Sequence, residues 1–434
     1  MITPERTLKS SALAAAAPTS KTGREQKGPL AKQGPARKRR SLPPSLQPLI
    51  TFFSSLRLTV VCLGLGLALV FAGTLAQVEI GLYKAQNEYF RSFFIYWAPK
   101  GGSFRIPVFP GGYLLGGLLL INLLTAHITR FKLTRKKVGI WIIHSGLILL
   151  LLGQLLTDML ARESALRLFE GETRNYSEDF RALEVALVDK SDADTDLVYS
   201  IPQKLLSSQS VVRDPRLPFN VRLKKFWENA GVVKPDSKAP MAVPSGATAG
   251  QLKDALVIPK PPVSDTEERN MPAALIEVES GGQSLGSFFV TSLTTAGEKF
   301  SVGPKQYEIG LRFTRYYYPF SLTLLKATHE QYRGTPIPKN FASRIRVQNP
   351  AGNEARETDI YMNNPLRYGG LTFYQYQMSA GEAAEQAGVT PSSTLQVVRN
   401  PSWLTPYASC VLIALGLLIQ FGSHLFGFVK RRTA

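Results

Sequence analysis

Apolar residues are concentrated in four long segments of the chain, which run over residues 58–78, 112–131, 138–159 and 403–429. Each segment is about as long as the roughly 20 apolar residues that an α-helix needs to cross the hydrocarbon core of a bilayer. The second and third segments are separated only by KLTRKK, so they are predicted to form a tight helical hairpin. The pattern predicts an integral membrane protein with four transmembrane helices.

The long polar region between the third and fourth segments has a different pattern. Apolar and polar residues alternate in LEVALV (183–188), FNVRLKKF (219–226), AALIEVE (273–279) and SRIRVQ (343–348), as in strands with one buried face. The turn residues of QNPAGNE are predicted to join two strands, and the Pro-, Ser- and Gly-rich stretches 234–250 and 259–272 are predicted loops. With about 240 residues the region can bury its own core. We therefore predict a large antiparallel β-rich domain, sandwich-like, with inserted loops.

These patterns divide the chain into six predicted parts. They are a disordered basic cytoplasmic tail (1–49), a first transmembrane helix (50–79), an extracytoplasmic loop (80–111), a transmembrane helical hairpin (112–159), an extracytoplasmic β-rich domain (160–402), and a fourth transmembrane helix with a basic cytoplasmic end (403–434). The tail is rich in Ala, Lys, Arg, Ser and Pro and has little to bury. It either supplies topogenic charge or is an organelle transit peptide, which has a similar composition.

The distribution of charge predicts which parts of the chain face the cytoplasm. The formal net charge is +19, but residues 158–402 carry 28 basic and 28 acidic side chains, so the excess flanks the apolar segments. Basic residues near membrane segments favour the cytoplasmic side. The tail, the turn RFKLTRKK and the terminal KRR are therefore predicted to be cytoplasmic, and the β-rich domain to be extracytoplasmic. Because the polar domain is neutral, the basic character indicates membrane topology and no nucleic-acid partner is expected.

Small residues recur at helical spacing in the first two apolar segments. Gly64, Ala68 and Ala72 lie in the first, and Gly112 and Gly116 in the second. Small residues let helix backbones approach closely in a membrane, so these positions are predicted helix contacts.

The chain offers no catalytic constellation, and we predict that it is not an enzyme on its own. No HExxH, P-loop, GxGxxG or GxSxG element occurs in a suitable context. Only two cysteines are present, Cys62 and Cys410, each within an apolar run and neither in a CxxC pair. This pattern argues against a thiol–disulfide oxidoreductase.

Three of the four histidines lie where apolar segments meet basic clusters: His127, His144 and His424. A titratable ring in a bilayer segment costs free energy unless something uses it, and neutral imidazole is a common ligand of haem iron. His144 is deepest, flanked by WII and LILLLLG. A ring near the border can instead simply reach the interface, and His424 can form with Gln420, one turn away, a pair that bonds another helix. His329, in the polar region, is interpreted as a structural residue.

Several segments occur in an order that resembles the ResB/CcsB family of cytochrome c biogenesis, system II. They are SSLRLTVVCLGLGLALVFAGTLAQ, VGIWIIHSGLILLLLGQLL followed by LRLFEGETRNY, YYPFSLTLLKATHEQYRGTPIPKNFASRIRV, YMNNPLRYGGLTFYQYQM and NPSWLTPYASCVLIALGLLIQF. The resemblance extends over roughly residues 50–430. Because the chain has only four tryptophans and no Trp-rich haem-binding loop, it resembles the separate ResB/CcsB subunit rather than a fusion with its partner.

The resemblance implies a function in haem handling. Together with a CcsA/ResC-type membrane partner, such a subunit binds and exports haem and presents it to apocytochrome c for covalent attachment. The family's membrane haem ligand in this subunit is a histidine of the third helix, which here matches His144 as an axial ligand of the iron. His127 and His424 are further candidate haem-binding residues. The haem would be b-type and transiently bound, with its second axial ligand supplied by the partner.

The resemblance also implies a location, the bacterial inner (cytoplasmic) membrane, with a plastid thylakoid membrane as the alternative. Two other functions remain open on the sequence. The chain could be a membrane-anchored β-domain scaffold of another complex that does not touch haem, or a metal or solute transporter subunit that uses histidine as a relay. The absence of Asp and Glu from the middle of the apolar segments weighs against the transporter.

Overall fold

The computed structural model describes residues 44–433, apart from 98, 100–103, 131–133, 135–136, 193–194, 209–210, 237–238, 264–268, 334, 336–337, 382–383 and 385–387. Most of the predicted basic tail and most of the predicted basic turn lie outside the described residues. Leu49–Ala434 forms one compact unit.

Four of the described helices are long and apolar enough to cross a membrane, as predicted. The helices are α1 Gln47–Phe53, α2 Leu56–Ile80, α3 Leu82–Ala85, α4 Gly112–Thr129, α5 Val138–Leu160, α6 Gln203–Ser208 and α7 Thr405–Thr433, with single turns of 3₁₀-helix at Pro44–Leu46 and Pro350–Gly352 and of π-helix at Gln86–Phe90. The long ones are α2, α4, α5 and α7. Large apolar side chains on them, such as Leu67, Phe71 and Leu418, point outward and are exposed, which suits contact with lipid. The protein is a membrane protein with four candidate transmembrane helices.

The remaining described residues are dominated by strands. The strands are β1 Phe94–Trp97, β2 Ile106–Pro110, β3 Arg162–Phe169, β4 Thr173–Asp189, β5 Leu197–Pro202, β6 Asn220–Trp227, β7 Ala230–Val233, β8 Val243–Pro244, β9 Leu256–Pro259, β10 Ala273–Ser280, β11 Gln283–Thr291, β12 Glu298–Val302, β13 Lys305–Gln331, β14 Pro338–Asn349, β15 Glu354–Tyr361, β16 Leu366–Tyr368, β17 Leu371–Ser379 and β18 Ser392–Arg399. All four predicted strands and the predicted turn between two of them, here β14 and β15, are confirmed.

One ten-stranded antiparallel sheet organises the domain. Its main path is β15-β14-β13-β4-β3-β18-β17-β16, and β12 and β5 pair with β13 and β4 outside this path. The 27-residue strand β13 pairs with β4 along its first half and with β14 along its second half. The sheet therefore has two halves that share these long central strands.

Each half of the large sheet encloses a core of its own. The first half packs on the three-stranded sheet β11-β10-β6, and the core between them includes Leu187, Ile276, Phe288 and Ile309. This arrangement confirms the sandwich-like prediction. The second half of the sheet is curled. This is shown by a hydrogen bond between two strands that are not neighbours in the sheet, which the Ser343 hydroxyl of β14 donates to Gln375 of β17. The core of this half contains apolar residues from seven strands.

The sheet is joined to the membrane helices through two adjacent strands. Helix α5 ends at Leu160 and β3 begins at Arg162, while β18 ends at Arg399, shortly before α7. β3 and β18 pair along their whole length. Thr157 of α5 lies 2.8 Å from Ser402 between their hydroxyl oxygens, which holds the two connections together.

The predicted loop 80–111 contains more structure than a simple loop. It holds α3, the π-turn and the hairpin β1–β2. Asp158, near the end of α5, ties this segment to the helices, because its carboxylate accepts hydrogen bonds from Arg91 Nε at 2.8 Å and from the Tyr113 hydroxyl. The guanidinium of Arg181 lies 3.6 Å above the ring of Tyr83 and connects the same segment to the β domain.

Candidate functional site

Helices α5 and α7 pack with little space between their backbones. Gly139, Gly146 and Gly153 of α5 recur every seven residues, and all three are buried. A Cβ placed on each would lie 2.8 Å or less from an atom of α7. The predicted contacts at Gly64 and Gly116 are wrong, since a Cβ there would meet nothing within 4 Å. Gly112 does pack closely, against the backbone of Phe90 in the segment between α2 and α4.

His144 lies on the side of α5 that faces away from α7. It is two residues before Gly146, which places the two about 200° apart around the helix. The ring nitrogen Nδ1 lies 2.8 Å from the carbonyl oxygen of Ile140, one turn earlier. Because a carbonyl can only accept, Nδ1 carries the proton in this hydrogen bond and the lone pair is on Nε2. A backbone carbonyl that fixes the tautomer in this way is the usual support of a metal-binding histidine.

His127 of α4 is brought next to His144. Their ring centroids are 6.5 Å apart, and the ring of His127 also lies 4.5 Å from that of Trp141. Both histidines are half-buried. The short connection between α4 and α5 makes the two helices antiparallel neighbours, so two imidazoles from different apolar segments meet at one level of the membrane region.

His424 lies elsewhere. It is on α7, which packs against the glycine face of α5, whereas His144 is on the opposite side of α5. The amide nitrogen of Gln420 donates to Nε2 of His424 at 2.6 Å, so the two side chains bond to each other within α7. The structure therefore brings together His127 and His144 but not His424.

Asn122 is a buried polar residue of α4 that the sequence analysis did not single out. Its side-chain amide donates to the carbonyl oxygens of Phe53 and Ser55 at 2.6 and 3.0 Å, and its oxygen accepts from the Thr59 hydroxyl at 2.7 Å. The three bonds hold the junction of α1 and α2 against α4. An asparagine inside an apolar segment was the available signal, because such a residue needs a partner in lipid.

His329 packs against an aromatic ring in the β domain. It lies on β13 directly opposite Phe341 of β14, and their rings stack at 4.4 Å with an angle of 16°. This cross-strand pair contributes to the curled half of the sheet.

The donor set in the membrane region suits haem better than a bare metal ion. Among the described residues, no group of three or more His, Cys, Asp or Glu side chains could hold a metal ion. Haem brings four nitrogen ligands of its own and needs only axial ligands from protein. The half-buried pair of His127 and His144, with the adjacent indole of Trp141, can offer an imidazole and apolar contacts to such a group.

Comparison with known proteins finds similarity in one segment of the chain. Residues 280–392 match the ResB-like family. Protein NrfI of Wolinella succinogenes is 31% identical over 100 residues, which cover 23% of this chain and 10% of NrfI. The chain is similar to the ResB-like family over this segment. The matched residues run from the end of β10 to the start of β18, so the match lies in the β domain and does not include His127 or His144.

Proposed function

We propose that this ResB-like protein is the non-catalytic subunit of a cytochrome c biogenesis system that binds haem in the membrane. With a CcsA/ResC-type partner it exports the haem and presents it to apocytochrome c. The similarity of residues 280–392 to the ResB-like family and the four apolar helices support this proposal. The proposed location is the bacterial inner membrane, with the β domain on the extracytoplasmic side.

The observation that carries the proposal is the hydrogen bond that sets the tautomer of the His144 ring. Its Nδ1–H is bonded to the Ile140 carbonyl, so Nε2 is the nitrogen that can bind iron. The ring of His127 is adjacent, with its centroid 6.5 Å from that of His144. We assign the axial bond to His144 and a haem contact to His127. His424 is not assigned to the iron, because it lies on the other side of α5.

The haem would be cargo, held through its iron and released to the partner. An imidazole bond from one side leaves the second axial position for the partner to occupy. The depth of His144 is about 9 Å from the start of α5, at 1.5 Å per residue. On the predicted topology this ring lies toward the cytoplasmic side, where haem enters.

The test is the haem content of the full chain purified together with its membrane partner. We expect His144→Ala to remove most of the haem measured as pyridine haemochrome, and added imidazole to restore part of it. His127→Ala should lower the haem content less, and His329→Ala, in the β domain, is the matched control and should retain it. Full haem content in His144→Ala at normal protein level would refute the assignment. Absence of haem from the wild-type complex would favour a scaffold instead.

A further inference from the structure

A groove in the β domain lies beside the point where the sheet meets α5 and α7. It has a volume of about 550 Å³, within the range of about 300–1,000 Å³ that is usual for small-molecule sites. Arg162, the first residue of β3, and Arg399, the last residue of β18, both line it. The groove is therefore at the opposite end of α5 from His144.

The two arginines face each other without an acidic partner. They are directly opposite in the β3–β18 ladder, and like charges in such a position destabilise a sheet. Among the described residues neither forms an ion pair, although many other arginines of this domain do. The guanidinium of Arg162 lies 3.7 Å above the ring of Tyr316, and Arg399 is exposed. An anion between them would relieve the repulsion through charge-assisted hydrogen bonds.

The rest of the groove is aromatic. Its lining includes Tyr317, Tyr318, Phe320 and Tyr368. The rings of Tyr318 and Phe320 are parallel within 10° at 5.3 Å, and Tyr317 is 55% exposed. Flat apolar ligands stack well on such rings.

The hydroxyl groups of the groove add little charge. Burial raises the pKa of Tyr318 above its ordinary value, so this phenol stays neutral. The hydroxyl of Tyr368 donates to Glu354 at 2.7 Å, and that carboxylate is paired with Arg356 at 3.2 Å. The two arginines therefore dominate the electrostatics of the groove.

We propose that this groove binds a flat, amphipathic ligand that carries two carboxylates, namely a haem that has crossed the membrane. The two guanidinium groups would bind the two propionates, and the aromatic lining would contact the macrocycle. Among the described residues, no histidine, methionine or cysteine lines the groove, so recognition is by the ring and its carboxylates rather than by the iron. This inference rests on the proposed function, and it adds an outer binding site to the inner one at His144.

Protoporphyrin IX without metal separates the two sites, because it has the carboxylates but no iron for His144. We would titrate it into the full chain in phosphatidylcholine nanodiscs, subtract binding to empty nanodiscs, and follow the porphyrin fluorescence. The Arg162→Gln/Arg399→Gln variant should bind it at least tenfold more weakly than wild type. His144→Ala should bind it as wild type does. The dimethyl ester of the same porphyrin should bind wild type weakly.

The matched control is Arg167→Gln, an exposed arginine of the same strand β3 that does not line the groove, and it should leave binding unchanged. If the double variant does not fold, the exposed residue Arg399 alone is changed to Gln, and Tyr317→Ala tests the aromatic wall. Unchanged affinity in the arginine variants, or equal affinity for the ester, would overturn the proposal. So would displacement of the porphyrin by short-chain phosphatidylglycerol at lower concentration than by haem, because the groove would then be a lipid headgroup site. None of these outcomes affects the haemochrome test of His144.

Discussion

Gly139 and Gly416 meet at the interface of α5 and α7 so closely that a Cβ on Gly139 would lie 2.8 Å from the carbonyl oxygen of Gly416. The same Cβ would lie 2.8 Å from the backbone nitrogen of Gln420. Backbone atoms cannot turn away as a flexible side chain can, so any larger residue here must separate the helices. Close backbone approach of this kind is a principal source of helix association in membranes, where lipid removes the hydrophobic driving force.

Gly139→Ala is therefore expected to destabilise the protein. Overpacking costs about 1–3 kcal/mol, and the effect would appear as a lower Tm of the detergent-solubilised chain. Gly116→Ala is the matched control, because a Cβ there meets nothing within 4 Å and alanine is the better helix former. The control should leave Tm unchanged or raise it; an equal loss in both variants would contradict the packing argument.

Asn122→Ala should loosen α2 from α4. The variant removes three hydrogen bonds to the end of α1 and the start of α2, and hydrogen bonds between membrane helices contribute about 1–2 kcal/mol in model peptides. Proteolysis of the solubilised protein between α1 and α2 should become faster. Thr125→Ala removes a bond to Ile121 of its own helix only and should not change the rate. Identical proteolysis of both variants and wild type would show that Asn122 does not hold α2.

The predicted topology can be tested with reporters. A fusion after Lys137 should report the cytoplasm, and a fusion after Asp189 should report the other side of the membrane, because α5 lies between the two positions. The expectation follows from the basic clusters and the even number of apolar helices. Two reporters on the same side would refute the arrangement.

Acid should lower the stability of the first half of the large sheet, because it protonates Asp189. Hydrogen bonds from Lys305 at 2.8 Å and from Ser191 lower the pKa of this carboxyl from 3.8 to about 2. A folded-state pKa below the unfolded value stabilises the protein above pH 4, and this stabilisation is lost as the pH falls from about 4 to about 2. The Tm of Asp189→Asn should therefore be lower than that of wild type at pH 7 and should fall less on acidification.

Asp196→Asn is the control for that experiment, since the ion pair of Asp196 with Lys190 is exposed and such pairs contribute little. A parallel pH dependence of wild type and Asp189→Asn would mean that Asp189 does not contribute to the acid sensitivity.

The hydropathy pattern was sufficient for the four helices and for the strands with clear alternation, because one face of each element is buried. It was not sufficient for the contacts between helices. Small residues occur on lipid-facing surfaces as well as at interfaces, so Gly64 and Gly139 look alike in the sequence although only the second packs against another helix. The seven-residue spacing of Gly139, Gly146 and Gly153 was the one available signal.

The candidate sites were predictable to different degrees. The apolar surroundings of His144 identified it, and the short hairpin made the proximity of His127 plausible, but the rotation of each helix is set by tertiary packing. The groove could not be predicted from the sequence, because Arg162 and Arg399 are neighbours only through the pairing of β3 with β18. More than 200 residues of chain separate the two strands, and the register of such a distant pair depends on the folded sheet.

Helix α5 continues directly into β3, and β18 leads toward α7, so the helix pair and the strand pair are connected with almost no intervening loop. A helix pair in tight backbone contact leads into a strand pair in full register, and Thr157, Asn400 and Ser402 bind the junction by hydrogen bonds. A tilt of α5 against α7 would therefore be transmitted to β3 and β18. It would change the spacing of the guanidinium groups of Arg162 and Arg399, which are opposite each other in this strand pair.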